Sequence, residues 1–172
     1  MEASSAGLDK GSTFRVELPL GNATERRVAR DRSDRTVADL RGIRVVVVDD
    51  RPDERELFAE ILSRAGATVE VAESAASALT VVERIRPNII VSDIAMPGED
   101  GYAFVRKLRG HADPAIASTP AVALTAHARA EDRQKAFTAG FQRYIAKPVL
   151  PEDLVRTVGG LRAASISSRR SK

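Results

Sequence analysis

Five residues, spread over about a hundred positions, are of types that could do chemistry together: Asp49, Asp50, Asp93, Thr125 and Lys147. Four of them end or directly follow an apolar run. VVVVDD (45–50) closes on two acids, IIVSDIAMPGEDG (89–101) carries a third, AVALTA (121–126) offers a hydroxyl and FQRYIAKP (141–148) an ammonium. Adjacent carboxylates repel one another and resist desolvation. A hard cation with oxygen ligands relieves both costs. Mg²⁺ suits the set because it takes one or two carboxylates and keeps waters that a phosphate can replace. A carboxylate at Asp93 is a candidate nucleophile toward phosphorus. Lys147 and Thr125 would neutralise and hydrogen-bond the transferred group. Taken singly, each residue has an ordinary reading: an acidic helix start before Pro52, a capping Asp, a capping Thr, a surface Lys. Their shared placement at strand ends argues for a joint role.

The elements that must position them alternate between strand and helix. IRVVVV (43–48) and NIIVS (88–92) are apolar on both faces, as expected of central parallel strands. TVEVA (68–72), AVALT (121–125) and FQRYIA (141–146) complete five strands. Pro52 opens a first helix, with Leu57, Phe58, Ile61, Leu62 and Ala65 at helical spacing and Gly66 at its end. Further helices are expected over 74–85, 100–110, 130–139 and from Pro151 to about Leu161. Five β-α units with right-handed crossovers make an α/β, flavodoxin-like (β/α)5 fold, a doubly wound five-stranded parallel sheet. The expected strand order is 2-1-3-4-5, counted from residue 43. In such a sheet the residues past the carboxyl ends of the strands meet in one crevice, at the switch point between the first and third strands. Those strands deliver Asp49, Asp50 and Asp93. The Lys147–Pro148 bond is a candidate for the cis form.

Composition narrows the classes. Cysteine is absent and His is limited to His111 and His127, which argues against zinc and a disulfide framework and fits a cytoplasmic setting. No apolar stretch reaches the roughly 20 residues of a membrane span. The net charge is +3, yet residues 43–161 hold 15 basic and 17 acidic residues. The excess lies at the ends, with four basic and no acidic residues in 162–172. A nucleic-acid-binding stripe on a folded face is therefore not expected. The first strand leads into DDRPDER rather than a Gly-rich loop, which excludes a dinucleotide fingerprint.

With these residues in view, 43–162 strongly resembles the receiver domain of two-component response regulators. The matching signatures are VVVVDD, SDIAMPGEDGY, ALTA and YIAKP, in order and at the expected spacing. The resemblance implies that Asp93 is the phosphoacceptor, taking a phosphoryl group from a phosphohistidine. It implies that Asp49, Asp50, Asp93 and the carbonyl of Ala95 hold Mg²⁺ directly or through water. It gives Lys147 the cation that pairs with the acyl phosphate, and Thr125 and Tyr144 the switch roles. A receiver of this kind catalyses its own phosphorylation and dephosphorylation. Ala95 stands where an aspartate-nucleophile phosphatase would want a second acid. Glu54 and Arg51 receive no role, and His127 is placed at the border of the site.

Residues 7–20, GLDKGSTFRVELPL, resemble the closing segment of a histidine-kinase ATP-binding domain. Phe14, Val16 and Leu18 alternate with polar residues as a half-buried strand does, and Pro19 ends it. The expected organisation is a kinase remnant at 1–20, a linker at 21–41, the receiver at 42–162 and a disordered basic tail at 163–172. The chain is thus expected to be the C-terminal receiver of a hybrid histidine kinase, whose parent protein could be membrane-attached. A stand-alone single-domain regulator acting by protein–protein contact is the alternative. The expected partner is a phosphohistidine donor, either a kinase dimerisation domain or a histidine phosphotransfer protein. A DNA-binding output is not expected, since about ten residues follow the last helix read from the sequence. The strand at 12–20, stripped of its native sheet, is expected to be disordered, to cover an apolar patch or to pair with a neighbouring chain as a dimer.

Overall fold

Parallel strands need apolar residues on both faces, and the described part of the chain supplies them around one sheet. The computed structural model describes residues 2–5, 11–15, 38–126 and 130–170. It divides into two units, Met1–Arg35 and Thr36–Lys172. The first unit contains a two-stranded antiparallel ribbon, β1 (Glu2–Ser5) paired with β2 (Ser12–Arg15), with Glu2 opposite Arg15 and Ser5 opposite Ser12. The strand expected at 12–20 is thus present over 12–15, and its pairing partner is the chain's own EASS segment. Residues 16–20 and 21–37 lie outside the described residues.

The second unit runs β3 (Arg44–Val48), α1 (Pro52–Arg64), β4 (Thr68–Ala72), α2 (Ala75–Ile85), β5 (Ile89–Asp93), α3 (Gly101–Arg109), α4 (Pro114–Ala117), β6 (Ala121–Thr125), α5 (Ala130–Ala139), β7 (Arg143–Ala146) and α6 (Pro151–Arg170). The sheet order is β4-β3-β5-β6-β7, with every pairing parallel. Counted within the domain this is 2-1-3-4-5, the doubly wound order expected. The sheet's alternating side chains feed two apolar layers. Val46, Val48, Ile90, Ala121 and Ala123 pack beneath α2, α3 and α5. Val45, Val47, Ile89, Val91, Val122 and Leu124 pack beneath α1 and α6. Burial on both sides explains why these strands read as unbroken apolar runs.

Local chemistry sets the helix ends. Pro52 occupies the first turn of α1. Gly66 follows its C-cap at φ +99°, a conformation costly for any residue with a Cβ. Ser74 and Ser77 form a reciprocal capping box on α2. Asp100 caps α3 by accepting the Ala103 N–H at 2.7 Å. The Lys147–Pro148 bond is cis, as the sequence reading proposed.

The structure differs from the sequence reading at four places. Leu40, assigned to the linker, is fully buried in the α1/α6 layer and its N–H binds Ala65 O at 2.9 Å, so the core begins before residue 42. Leu57 follows the helical spacing of α1 yet is 50% exposed, while Phe58 and Leu62 carry the contact. The short helix α4, capped by Asp113 and opened by Pro114, was not anticipated. Helix α6 continues to Arg170 across the segment expected to be a disordered tail.

One polar staple closes the end of the sheet opposite the acids. Arg109, at the end of α3, donates to Ala117 O at 2.6 Å, Thr119 O at 2.7 Å, Gly140 O at 2.9 and 3.0 Å and Gln142 Oε1 at 3.1 Å. Gln142 in turn accepts the Ala121 N–H at 2.8 Å. Burial lowers the Arg109 pKa from its ordinary value, although the guanidinium stays charged. Arg109→Met leaves the Ala117 and Thr119 carbonyls without this donor, while Gly140 O keeps the Gln142 side-chain amide at 2.7 Å. We expect a loss of about 2–3 kcal/mol in urea unfolding, with little change in cation affinity at the distant acids.

Candidate functional site

Strand order determines which side chains meet. β3 and β5 are neighbours, so Asp49, one residue beyond β3, and Asp93, the last residue of β5, emerge side by side. β5 lies against β6, with Asp93 opposite Leu124, and Thr125 closes β6 one residue further on. β7 brings Lys147 alongside: its N–H donates to Thr125 O at 2.7 Å. All five residues singled out from the sequence therefore collect at one edge. Asp49, Asp93 and Thr125 are buried, and Asp50 is half-buried.

The carboxylates of Asp49, Asp50 and Asp93 each offer an oxygen within 4.8 Å of the others. Asp50 Oδ1 is buried with no hydrogen-bond partner. A buried acceptor of this kind is costly unless a further group fills its place. An all-oxygen donor set with an orphaned buried oxygen fits a hard divalent cation such as Mg²⁺. The Ala95 carbonyl belongs to the exposed loop that follows β5 on the same side.

The Lys147 ammonium crosses the cluster. Its Nζ lies 3.0 Å from Asp93 Oδ1, 3.3 Å from Asp49 Oδ2 and 2.5 Å from Glu54 Oε2. The Phe58 ring supports it, with Nζ 6.0 Å from the ring centre. Burial alone would depress the Lys147 pKa. The hydrogen bonds to Glu54 and Asp93 and the charges of Asp93 and Asp49 outweigh it, so the pKa rises. Its pairing thus contributes fully below the unfolded lysine value of about 10.4 and is lost only as pH rises through the higher folded value. Burial pushes the Asp49 carboxyl up, opposed by the Arg51 N–H on Oδ1 at 2.9 Å and by Lys147. Glu54 is held below its usual range, chiefly by the Lys147 hydrogen bond.

The loop after Asp93 is tightly built. The Ile94 N–H binds Leu124 O at 3.0 Å, and the Gly101 N–H returns to Ile94 O at 2.9 Å. A Cβ on Gly101 would stand 2.3 Å from Asp93 O and 2.9 Å from Ile94 Cα. Only glycine allows α3 to start this close to the acid.

Tyr144 lies on β7 opposite Ala123, half-buried against the layer beneath α5. Its phenol is pushed up by burial, then by the charge of Asp132. His127 lies outside the described residues. His111 is remote from the acids, with its Nε2 3.1 Å from Glu83 Oε1. Sequence reasoning gave Glu54 no role, yet it makes the shortest contact to Lys147. The available signal was its place in the first turn of a helix that directly follows Asp49–Asp50, where side chains overhang the strand end.

Set beside known proteins, this geometry has a clear kinship. The family model described as the response regulator receiver domain matches residues 45–159, and the chain belongs to that family. It is 46% identical over 114 residues to an uncharacterized 14.6 kDa protein of Leptolyngbya boryana, covering 66% of this chain and 86% of that one. It is 37% identical to hybrid signal transduction histidine kinase D of Dictyostelium discoideum, over 64% of this chain. It is 30% identical to the sensor histidine kinase RcsC of Escherichia coli K12, over 73% of this chain. The chain spans only 8% and 13% of those two kinases. Among solved structures, the chemotaxis response regulator CheY4 of Vibrio cholerae superposes with a TM-score of 0.64 at 30% identity, covering 69% of this chain and 98% of that one. Among the described residues, no helix is long and apolar enough to cross a membrane.

A cluster of like charges is destabilising until a cation fills it. Asp50→Asn removes one charge and should raise the unfolding free energy of the metal-free protein in urea by about 1 kcal/mol, while Mg²⁺ affinity falls. Gly101→Ala should act in the opposite sense on stability, costing about 1–3 kcal/mol through overpacking against Asp93. Equilibrium unfolding and Mg²⁺ titration calorimetry of the two variants check both outcomes.

Proposed function

We propose that this receiver accepts a phosphoryl group on Asp93 from a phosphohistidine and changes conformation in response. The observation that carries the reading is the Asp93 carboxylate, buried at the end of β5, with the Lys147 ammonium 3.0 Å away and two further carboxylates beside it. Asp93 Oδ forms a bond to phosphorus as the P–N bond of the donor breaks. The electron pair stays on the imidazole nitrogen, which takes up a proton. Hydrolysis by water later returns the free carboxylate and phosphate. Asp49, Asp50, Asp93 and the Ala95 carbonyl would hold Mg²⁺. When bound, it supplies positive charge to the phosphoryl oxygens and offsets the repulsion between an anionic donor and an acidic site. Lys147 turns its ammonium from the carboxylates to a phosphoryl oxygen, and the Thr125 hydroxyl donates to another.

Movement of Thr125 toward the phosphoryl group makes room along β6, and Tyr144 on the neighbouring strand turns inward. The two are linked through the β6–β7 pairing, in which Thr125 stands opposite Ala146. This is a two-state element whose equilibrium the phosphoryl group shifts. The affected face comprises Thr125, Tyr144 and α5. In amide NMR spectra, shift changes should extend to α5 when a phosphoryl analogue binds. Changes confined to residues around Asp49, Asp50 and Asp93 would argue against the switch.

Two contexts have support, both cytoplasmic. Similarity to hybrid and sensor histidine kinases, together with the kinase-like segment 7–20, favours the C-terminal receiver of a hybrid kinase. The near full-length match to the short Leptolyngbya boryana protein and to CheY4 favours a single-domain regulator acting by protein contact. The donor is accordingly a kinase dimerisation domain or a histidine phosphotransfer protein.

Incubation with Mg²⁺ and acetyl phosphate, read by intact mass and peptide mapping, should give one phosphoryl adduct on Asp93. The adduct should be absent in Asp93→Asn and after chelation of the metal. Lys147→Ala should slow adduct formation about 100-fold, the scale of removing one charge-stabilising donor. An adduct that persists in Asp93→Asn contradicts the assignment.

A further inference from the structure

The Lys147 ammonium has three protons, and three carboxylates face it. Two come from the sheet edge, Asp93 Oδ1 at 3.0 Å and Asp49 Oδ2 at 3.3 Å. The third and closest is Glu54 Oε2 at 2.5 Å, from the first turn of α1. Glu54 is itself anchored, its other oxygen paired with the Arg51 guanidinium. Its side chain is 20% exposed, against 0% for Asp49 and 5% for Asp93, so it sits at the mouth of the crevice. A lysine whose three protons are all engaged has none left for a new oxygen. Asp49 and Asp93 are also needed by the cation, whereas Glu54 lies outside the oxygen cluster that would hold it.

We propose that Glu54 is a positioning residue that holds the Lys147 ammonium in reserve, so that a phosphoryl group on Asp93 competes for Lys147 with the one contacting acid that the cation would not take. The inference rests on the reading of Asp93 as phosphoacceptor and Lys147 as its cation. Glu54 thereby tunes how strongly the site retains a phosphoryl group without touching that group. The Arg51 pairing keeps Glu54 from following the ammonium inward.

Beryllofluoride at saturating Mg²⁺ serves as the phosphoryl probe, with its affinity read by fluorine NMR. Mg²⁺ affinity alone is read by calorimetry. Glu54→Gln and Glu54→Ala should bind beryllofluoride about five-fold more tightly than the unaltered protein, the scale of releasing one partly exposed ion pair. Glu54→Gln keeps the size and an acceptor oxygen, so it reports on charge should Glu54→Ala fold poorly. Mg²⁺ binding alone should not tighten in either variant. Asp53→Asn removes a neighbouring exposed acid of the same helical turn that does not contact Lys147, and should change beryllofluoride affinity by less than about two-fold. The proposal is overturned if the Glu54 variants bind the probe no more tightly. It is equally overturned if Asp53→Asn or Mg²⁺ alone reproduces the gain, because the effect is then general charge. An unaltered protein that does not take up the probe with Mg²⁺ overturns the phosphoacceptor reading as well.

Discussion

Carboxylates whose oxygens lie within 4.8 Å of one another repel, and near a protein surface a unit-charge pair at 4 Å is worth roughly 4 kcal/mol. Three such groups at the edge of one sheet would drive that edge apart or stay protonated if nothing balanced them. The Lys147 ammonium does the balancing in this protein, reaching Asp93, Asp49 and Glu54 at once. The same contact that makes the cluster tolerable leaves Asp50 Oδ1 without a partner. An unpartnered buried oxygen among clustered carboxylates is a donor set that fits a divalent cation.

The fold's contribution is to aim these groups and keep them dry. β3, β5, β6 and β7 run parallel, so their polar terminal residues all face the same way. Val45, Val46, Val47 and Val48 are fully buried and leave β3 little freedom to slip, since a shift of one residue would exchange the two apolar layers. Gly101 brings α3 against the carbonyl of Asp93, and Phe58 lies under the lysine. Each contact limits where a carboxylate or the ammonium can be, and a pre-positioned site needs that precision.

What the sequence disclosed follows from that design. A buried strand ending in an acid, a hydroxyl or a cation is visible in a single chain, because apolar runs and their polar stops are local. The strand order follows from alternation of β and α, and with it the meeting of Asp49, Asp50, Asp93, Thr125 and Lys147. Glu54 was hidden because an acid in a helix's first turn is already accounted for by the helix dipole. Its position after Asp49–Asp50 places it near the strand end, but the partner it reaches there is a lysine 93 residues away. Arg109 was hidden for the same reason, since its acceptors lie 8 to 33 residues distant, on the stretches 117–119 and 140–142. Leu40 closes a stretch sparse in large apolar residues, and its burial depends on α1 and α6 being in place. The β1 segment, EASS, has no apolar alternation to mark it as a strand.

The central claim is that one ammonium, shared among carboxylates from separate elements, is available to a phosphoryl group on Asp93. A crystal structure with Mg²⁺ and beryllofluoride tests it most directly. The fluoride adduct is expected on an Asp93 oxygen, with Mg²⁺ among Asp49, Asp50 and Asp93 and Lys147 Nζ within about 3 Å of a fluorine, the span of a charge-assisted hydrogen bond. An adduct on another residue, or Lys147 still bound to Glu54 and Asp49 with the Asp93 adduct unaccompanied by any cation, would contradict it.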